Sequence, residues 1–311
     1  MVYISTVSKG ILVGTISNAE KQFERDFERV YASLHFFEEI DVFIVESDSS
    51  DSTVGVLNRI SKKTPNFNYV SLGNLKVAIP NRIERIRKCR NVYVEYVRNN
   101  INFREWDYVI VADLDGMNSA LKSNSILHVF SSQTSWDACF ANQKHGYYDV
   151  YALREKLWMP NNCFDELQLI RSGISRDILP KHQLLKRIKR LIEFDNARKT
   201  AIYDQMRVIP KKADWISVDS AFGGLGVYKS KWFLKYDYSK ISNGHTQYSE
   251  HIDFHLKCRE EDANFFIVPI MINSNWNEYN INRFFIIRQL RQYIANNKNV
   301  RAFIFTLFRR N

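Results

Sequence analysis

Tyr108-Val-Ile-Val-Ala-Asp113-Leu-Asp115-Gly116-Met117 is an apolar run that stops abruptly on two carboxylates and a glycine. Its first five residues read as a buried strand, in which alternate side chains leave on opposite faces. That alternation ends where the strand breaks into the turn at Gly116, so Asp113 and Asp115 can converge on one divalent cation. A hard cation held by only two carboxylates keeps coordination sites for phosphate oxygens. As plain structure the same acids would decorate a turn, but a buried strand would then end on two unpaired carboxyls, a costly arrangement.

The segments before this stretch alternate in type. Residues 11–16 read as a buried strand, 19–37 as an amphipathic helix and 41–45 as a second strand. The right-handed crossover of such a unit makes its strands parallel. A helix over about 51–61, a short strand at 69–72 and a long helix over 81–97 follow, the last with Ile83, Ile86, Cys89, Tyr93 and Tyr96 as its inner stripe. The pattern predicts an α/β fold, a mostly parallel central sheet with helices on both faces, whose ligands gather at the carboxyl ends of the strands. Beyond residue 118 the pattern is less regular. Strands are expected at 149–153, 222–228 and 265–268, with a helical insert between about 164 and 204 and a basic helical appendage over 281–311. No repeat or Pro/Gly-rich linker divides residues 1–280.

With 311 residues, 45% hydrophobic and 25% charged, the chain can bury one sizeable core. Its 11 Gly and 6 Pro are too few for a disordered or low-complexity chain. Cys89, Cys139, Cys163 and Cys258 lie far apart without metal-ligand spacing, and they read as buried thiols of a reducing compartment. The apolar run at 11–16 is too short for a signal peptide, and no stretch of about 18 apolar residues occurs, so a cytoplasmic location is expected. The net charge of +10 favours an anionic partner. Basic residues concentrate at 181–199 and 283–310, alternating with apolar ones at helical spacing. This suits either a helix lying on anionic lipid or a solvated helix face. The tail adds Phe284, Phe285, Phe303, Phe305 and Phe308, consistent with a peripheral hold on the inner face of a membrane.

Four further stretches carry candidate chemistry. Glu46-Ser-Asp-Ser-Ser-Asp-Ser-Thr53 leads into a helix that Asp51 or Ser52 would cap, leaving Glu46 and Ser47 as ligand contacts. Arg82-Ile-Glu-Arg-Ile-Arg-Lys-Cys-Arg-Asn91 crowds arginines on one helix. Salt bridges at the surface would tolerate them, and a diphosphate would neutralise Arg85 or Arg90 bidentately. Tyr147-Tyr-Asp149-Val-Tyr-Ala-Leu-Arg154 reads as an aromatic strand with Asp149 at its edge. Glu250-His-Ile-Asp-Phe-His255 should open a helix, with Glu250 in the field of the first-turn N–H groups and His251 and His255 half-exposed on one face.

Taken in order, these elements resemble the GT-A fold glycosyltransferases. The stretch from Glu46 is similar to their acidic-Asp-Gly-Ser-Thr-Asp-Gly-Thr turn, departing from it at Ser47 and at Asp48, which stands in place of glycine. Asp113-Leu-Asp115 resembles their DxD signature. The Tyr147–Arg154 stretch, Ser220-Ala-Phe-Gly-Gly-Leu-Gly-Val-Tyr228 and Tyr248-Ser-Glu250-His251 resemble elements of the fungal capsule-associated mannosyltransferase family and related bacterial and viral glycosyltransferases. The matches are short, run from about residue 11 to 269 and skip the insert.

The resemblance implies a Rossmann-like GT-A fold with a nucleotide-sugar half at about 1–118 and an acceptor half at about 119–280. It implies metal-dependent transfer of a hexose from a nucleotide sugar to a glycan or lipid-linked acceptor, in surface polysaccharide or glycoconjugate synthesis. Thr15, Glu46, Ser47, Arg85, Arg90, Asn91 and Asp113 become donor contacts, and Asp113 and Asp115 ligands of Mn²⁺ or Mg²⁺, with His255 a candidate third. Glu250 and Asp149 become the catalytic carboxylates, and the glycines at 223 and 224 would let backbone approach the acceptor sugar.

Two other classes fit parts of the chain. Strand-Asp-x-Asp-Gly also describes the nucleophile loop of haloacid dehalogenase-type phosphatases, with Asp113 attacking phosphorus and Asp115 as acid/base. That loop normally opens its domain and continues with Thr, where Met117 stands here. A basic nucleic-acid or membrane module needs only the charge and leaves the acidic turns unexplained, so no nucleic-acid partner is expected.

Overall fold

A computed structural model describes residues 7–104, 106–175, 183–241, 248–284 and 288. The first half alternates as β1 (Val7–Ile16), α1 (Phe23–Ala32), β2 (Phe37–Glu46), α2 (Thr53–Ser61), β3 (Phe67–Ser71), α3 (Arg82–Arg104) and β4 (Tyr108–Ala112). The second half runs α4 (Leu127–Phe130), β5 (Ala138–Gln143), α5 (Cys163–Ser172), α6 (Leu184–Ala201), a 3₁₀ turn at Tyr203–Gln205, β6 (Ile216–Val218), β7 (Leu225–Lys229), α7 (Lys231–Lys235), α8 (Glu250–Arg259), β8 (Phe265–Ser274) and α9 (Glu278–Ile281).

All eight strands join one sheet in the order β3-β2-β1-β4-β7-β5-β8-β6. Strands β1, β2, β3 and β4 pair in parallel, and β5 pairs in parallel with β8. Only β7 and β6 run against their neighbours. The sheet is therefore mostly parallel, as expected, and it passes unbroken through both halves of the chain.

Strand alternation divides the core between the two faces. Ile11, Val13, Val109 and Val111 meet Cys89, Tyr93 and Val97 of α3 on one side. Leu12, Ile44, Ile110 and Ala112 meet Phe23, Phe27 and Val30 of α1 and Val56, Leu57 and Ile60 of α2 on the other. Helices thus cover both faces, which is why β1 and β4 are apolar throughout rather than alternating with polar residues. Of the expected inner stripe of α3, Cys89 and Tyr93 are buried in this core and Tyr96 packs against it, stacking on Phe43 at 3.8 Å between ring centroids, whereas Ile83 and Ile86 are only half-buried.

Several expectations for the second half need correction. Residues 149–153 form a turn instead of a strand, closed by the Ala152 N–H on the Asp149 carbonyl at 3.2 Å. The strand of that region is β5, whose every residue is buried, polar Asn142 and Gln143 included, so no period-two pattern marks it. The strand expected from 222 begins only at Leu225, because Gly223 and Gly224 take φ of +68° and +81°. The helical insert is present as α5 and α6. Of the appendage, only residues 281–284 and 288 are described; the rest, with Phe285, Phe303, Phe305 and Phe308, lies outside the described residues. All four cysteines are free and buried.

Gly14 lets β1 approach β4 closely, since a Cβ there would lie 2.6 Å from the backbone carbonyl of Ala112. A backbone atom cannot rotate away, so Gly14→Ala should destabilise the fold by about 1–3 kcal/mol. A chemical denaturation midpoint equal to that of the wild type would contradict this close-packing account.

Candidate active site

The carboxyl ends of β1, β2 and β4 open into a cleft of about 610 Å³, bounded by the start of α3, the start of α8 and the insert helices α5 and α6. Thr15, Ser47, Arg85, Arg90, Asp113, Asp115, Asp149 and Glu250 all line it. Residues distant in sequence therefore meet where ligands bind in open α/β sheets.

Arg90 is the hub. Buried on α3, it donates from Nε to Glu250 Oε1 at 2.7 Å and from Nη1 to the Tyr93 hydroxyl at 3.1 Å, while Nη2 stands 3.6 Å from Asp113 Oδ1. Its guanidinium also lies over the rings of Phe222 and Tyr238, at 5.3 and 5.6 Å from their centroids. Burial opposes the charge, but Tyr93, Glu250, Tyr238 and Asp113 outweigh burial and hold this group well above its usual range.

The acids around it carry the opposite strain. Burial raises Asp113; Arg90 pulls it back and Glu250 pushes it further. Enclosure by the cleft walls, followed by the charges of Asp113 and Asp26, pushes Asp115 up to about 7 even though its side chain reaches solvent. Burial likewise pushes Asp149 up to about 7, against the Gly223 N–H and with help from Asp113 and Glu250. Like charges gathered this closely favour either protons or a cation.

The loop bearing Asp115 is fixed by residues that the sequence did not advertise. Asp26, buried on α1, accepts the N–H groups of Gly116 at 2.7 Å and Asn118 at 3.1 Å. Asn118 Nδ2 donates to the carbonyls of Asp113 at 2.5 Å and Gly224 at 3.2 Å. An acid among other charges on an amphipathic helix reads as surface, and only the missing exposure of Asp26 betrays its role. Gly223 and Gly224 serve the same lattice instead of facing a sugar. The Gly223 N–H binds Asp149 Oδ2 at 3.0 Å, and the Gly224 carbonyl takes the Asp113 N–H at 2.9 Å.

Three of the expected site residues lie outside the cleft lining. Glu46 is consumed by its own turn, accepting the Ser49 N–H at 3.0 Å and the Ser71 hydroxyl. Asn91 accepts the Tyr238 N–H at 2.8 Å, on the outer side of α3. His255 is fully buried between the Ser220 hydroxyl at 2.9 Å and the Tyr228 hydroxyl at 3.0 Å, and burial pushes it down to about 3. Both its nitrogens are engaged far from Asp113, so it is no metal ligand, and neither it nor His251 is half-exposed.

Arg85 lines the cleft while clamping its rim, with Nε 3.2 Å from Asp48 Oδ2 and Nη1 on the carbonyls of Ile79 and Pro80. Asp48 has φ +62°, the left-handed conformation that favours glycine at this position. Among the described residues no group of three or more His, Cys, Asp or Glu side chains could hold a metal. Within the cleft, Asp113 and Asp115 offer a pair of hard oxygen donors two residues apart at the end of β4. That set fits Mg²⁺ or Mn²⁺ if the remaining sites go to water and phosphate oxygens.

No family model matches the chain, and no curated protein matches it. Solved structures give looser likenesses. A mannosyltransferase, PcManGT from Pyrobaculum calidifontis with GDP-Man and Mn²⁺, is 10% identical over 85% of this chain and 56% of its own, at a TM-score of 0.43. TarS of S. aureus, residues 1–349, is 20% identical over 44% of this chain and 36% of its own, at 0.32. Glucosyl-3-phosphoglycerate synthase from Mycobacterium tuberculosis, with Mn²⁺, UDP-glucose and phosphoglyceric acid, is 12% identical over 86% of this chain and 69% of its own, at 0.36. The chain thus spans between about a third and just over half the length of the first two. Likenesses at these scores leave the chemistry to be read from the chain's own side chains.

Because Asp149 ionises only at about 7 when folded, its penalty is absent below pH 4 and grows as pH rises to 7. At full ionisation this is on the order of 4 kcal/mol. Asp149→Asn should therefore gain on the wild type by about 2 kcal/mol or more between pH 5 and pH 8 in urea unfolding of the metal-free protein. A pH-independent difference would contradict the assignment of a buried, strained carboxyl.

Proposed function

We propose that the protein is a metal-dependent glycosyltransferase of the GT-A type, moving a sugar, a hexose by the sequence resemblance, from a nucleotide-sugar donor to a glycan or lipid-linked acceptor. The observation that carries this reading is the meeting of Asp113 and Asp115 with Arg82, Arg85 and Arg90 in one cleft at the carboxyl ends of parallel strands. Two acids strained toward protonation call for a cation, and the arginines lining the same cleft call for an anion. A divalent metal with a diphosphate answers both.

Asp113 and Asp115 would hold Mn²⁺ or Mg²⁺, which when bound neutralises the diphosphate leaving group as the glycosidic bond breaks. Arg82 is exposed in the first turn of α3, lines the cleft near enough to Asp113 to lower its pKa, and is a cation available to the phosphates. Arg90, already neutralised by Glu250, orients Asp113 from behind. Thr15 and Ser47 lie beside them, at the ends of β1 and β2, where a nucleoside would sit. Glu46 and Asn91 act through the backbone they fix, Glu46 by shaping the turn that presents Ser47.

Glu250 and Asp149 compete for the proton of the acceptor hydroxyl. Asp149 titrates near neutrality, the range suited to a group that takes and passes a proton at physiological pH. Glu250 Oε1 accepts from the Arg90 guanidinium at 2.7 Å, whereas the Asp149 oxygens accept only neutral backbone N–H groups, of Ala152 at 3.3 Å and Gly223 at 3.0 Å. We therefore assign proton transfer to Asp149 and the positioning of Arg90 to Glu250. The phosphatase alternative has less support, since the Asp113 strand sits fourth in the chain and inside the sheet, after a complete β-α-β unit.

Surface polysaccharide or glycoconjugate synthesis at the inner face of a membrane follows from the same reading. Among the described residues no helix is long and apolar enough to cross a membrane.

Asp115→Ala should cut sugar transfer by at least ~100-fold and abolish Mn²⁺-dependent binding of a nucleoside diphosphate. Removing a like charge from beside Asp113 should leave the melting temperature unchanged or higher. Undiminished turnover in this variant would sink the proposal.

A further inference from the structure

Helix α6 leaves its apolar residues in water. Leu185 is 82% exposed, Leu191 70%, and Leu169 on the adjoining α5 67%, with Ile170, Ile188 and Ile192 exposed as well. Six of the fifteen large apolar side chains exposed among the described residues therefore fall on these two helices. At 3.6 residues per turn, Leu185, Ile188, Leu191 and Ile192 occupy a stripe of roughly 120°. It lies opposite Ala197 and Ala201, which turn into the core. Residues this apolar on the outer side of a helix are not explained by packing within the chain.

The charge beside the stripe selects what covers it. Between Leu184 and Ile192 the helix carries no acid, and by the same helical spacing Arg187 and Lys189 flank the stripe while Lys186 and Arg190 lie on the far side. A second copy docking face to face would bring the flanking cations of both copies together, and the tail beyond residue 288, which is basic and has no acid, would meet like charge here, although Arg288 itself pairs with Asp195 farther along the helix. An anionic lipid surface meets both demands, receiving the apolar side chains below its headgroups and the cations among its phosphates.

We propose that the α5–α6 insert is a docking surface for anionic lipid bilayers and that it delivers a lipid-borne acceptor to the cleft. The same two helices form one wall of that cleft, through Phe164 and Leu167 of α5, Arg198 in the last turn of α6, and Ile202 and Tyr203 just beyond. A molecule anchored in the bilayer under α6 enters along this wall, and the acceptor is amphiphilic. The delivery step rests on the glycosyltransferase reading. The lipid contact does not.

Flotation of the full chain with vesicles tests the contact without donor or metal. Wild type should float with phosphatidylcholine vesicles containing about 30% phosphatidylglycerol, weaken with salt and fail to float with pure phosphatidylcholine. The pair Leu185→Ser with Leu191→Ser should weaken binding at least tenfold. The double variant Arg187→Gln with Lys189→Gln should do the same. All these side chains lie at the surface, so circular dichroism should stay unchanged. Asp115→Ala should float like the wild type, which separates failure of this proposal from failure of the glycosyltransferase reading. Binding that survives both sets of substitutions, absence of binding to anionic vesicles, or a dimer in sedimentation that the serine pair dissolves would overturn it.

Discussion

Arg90 joins the two halves of the chain through charge. It reaches from α3 to Glu250 at the start of α8 and toward Asp113 at the end of β4, with two aromatic faces around its guanidinium. Removing either the arginine or its carboxylate partner would leave an uncompensated buried charge, a loss on the order of 3–5 kcal/mol. The cleft keeps its shape because this contact is made. Its charge balance follows too: one buried arginine stands among Asp113, Asp115, Asp149 and Glu250, so the apo cleft holds more negative charge than its buried cation offsets. Burial first, and then this excess, pushes Asp115 and Asp149 to about 7. On the proposed reading a divalent cation would relieve it, and a diphosphate would then restore the balance against the outer arginines.

Much of this was legible before any coordinates. The apolar run into Asp113 and Asp115 has few structural meanings, and the β-α-β order before it determines where those acids lie in a parallel sheet. The arginines of α3 were legible because like charges so concentrated need a counter-ion. What escaped was whatever depends on burial. Asp26 carries no mark in its helix, while His255 reads as a half-exposed candidate ligand and Glu46 as a donor contact. Each is spent on a hydrogen bond whose partner lies distant in sequence or hidden in a turn. Strand β5 escaped for the same reason, since a strand buried on both faces loses its alternation.

The two ends of the cleft differ in character. Its sheet end is ionic, built from α3 and the loops after β1, β2 and β4, whereas its outer wall is aromatic and aliphatic, built from the insert. That division suits a reaction that joins a charged donor to an amphiphilic acceptor. It also explains why the insert has no counterpart among the short motifs of the sequence. On the proposed reading the insert wall would face the acceptor and the sheet end the diphosphate.

We propose that Asp113 and Asp115 form a metal-dependent nucleotide-sugar site. The most direct test is a thermal-shift titration of the wild-type protein with nucleoside diphosphates and their sugars, with Mn²⁺ and with chelator, because a ligand that binds only the folded state raises the melting temperature by mass action. The account predicts a saturable rise for at least one nucleotide sugar in Mn²⁺ that chelator abolishes. A rise of equal size in chelator, or no rise with any nucleotide sugar while simple phosphate esters are hydrolysed, would contradict it.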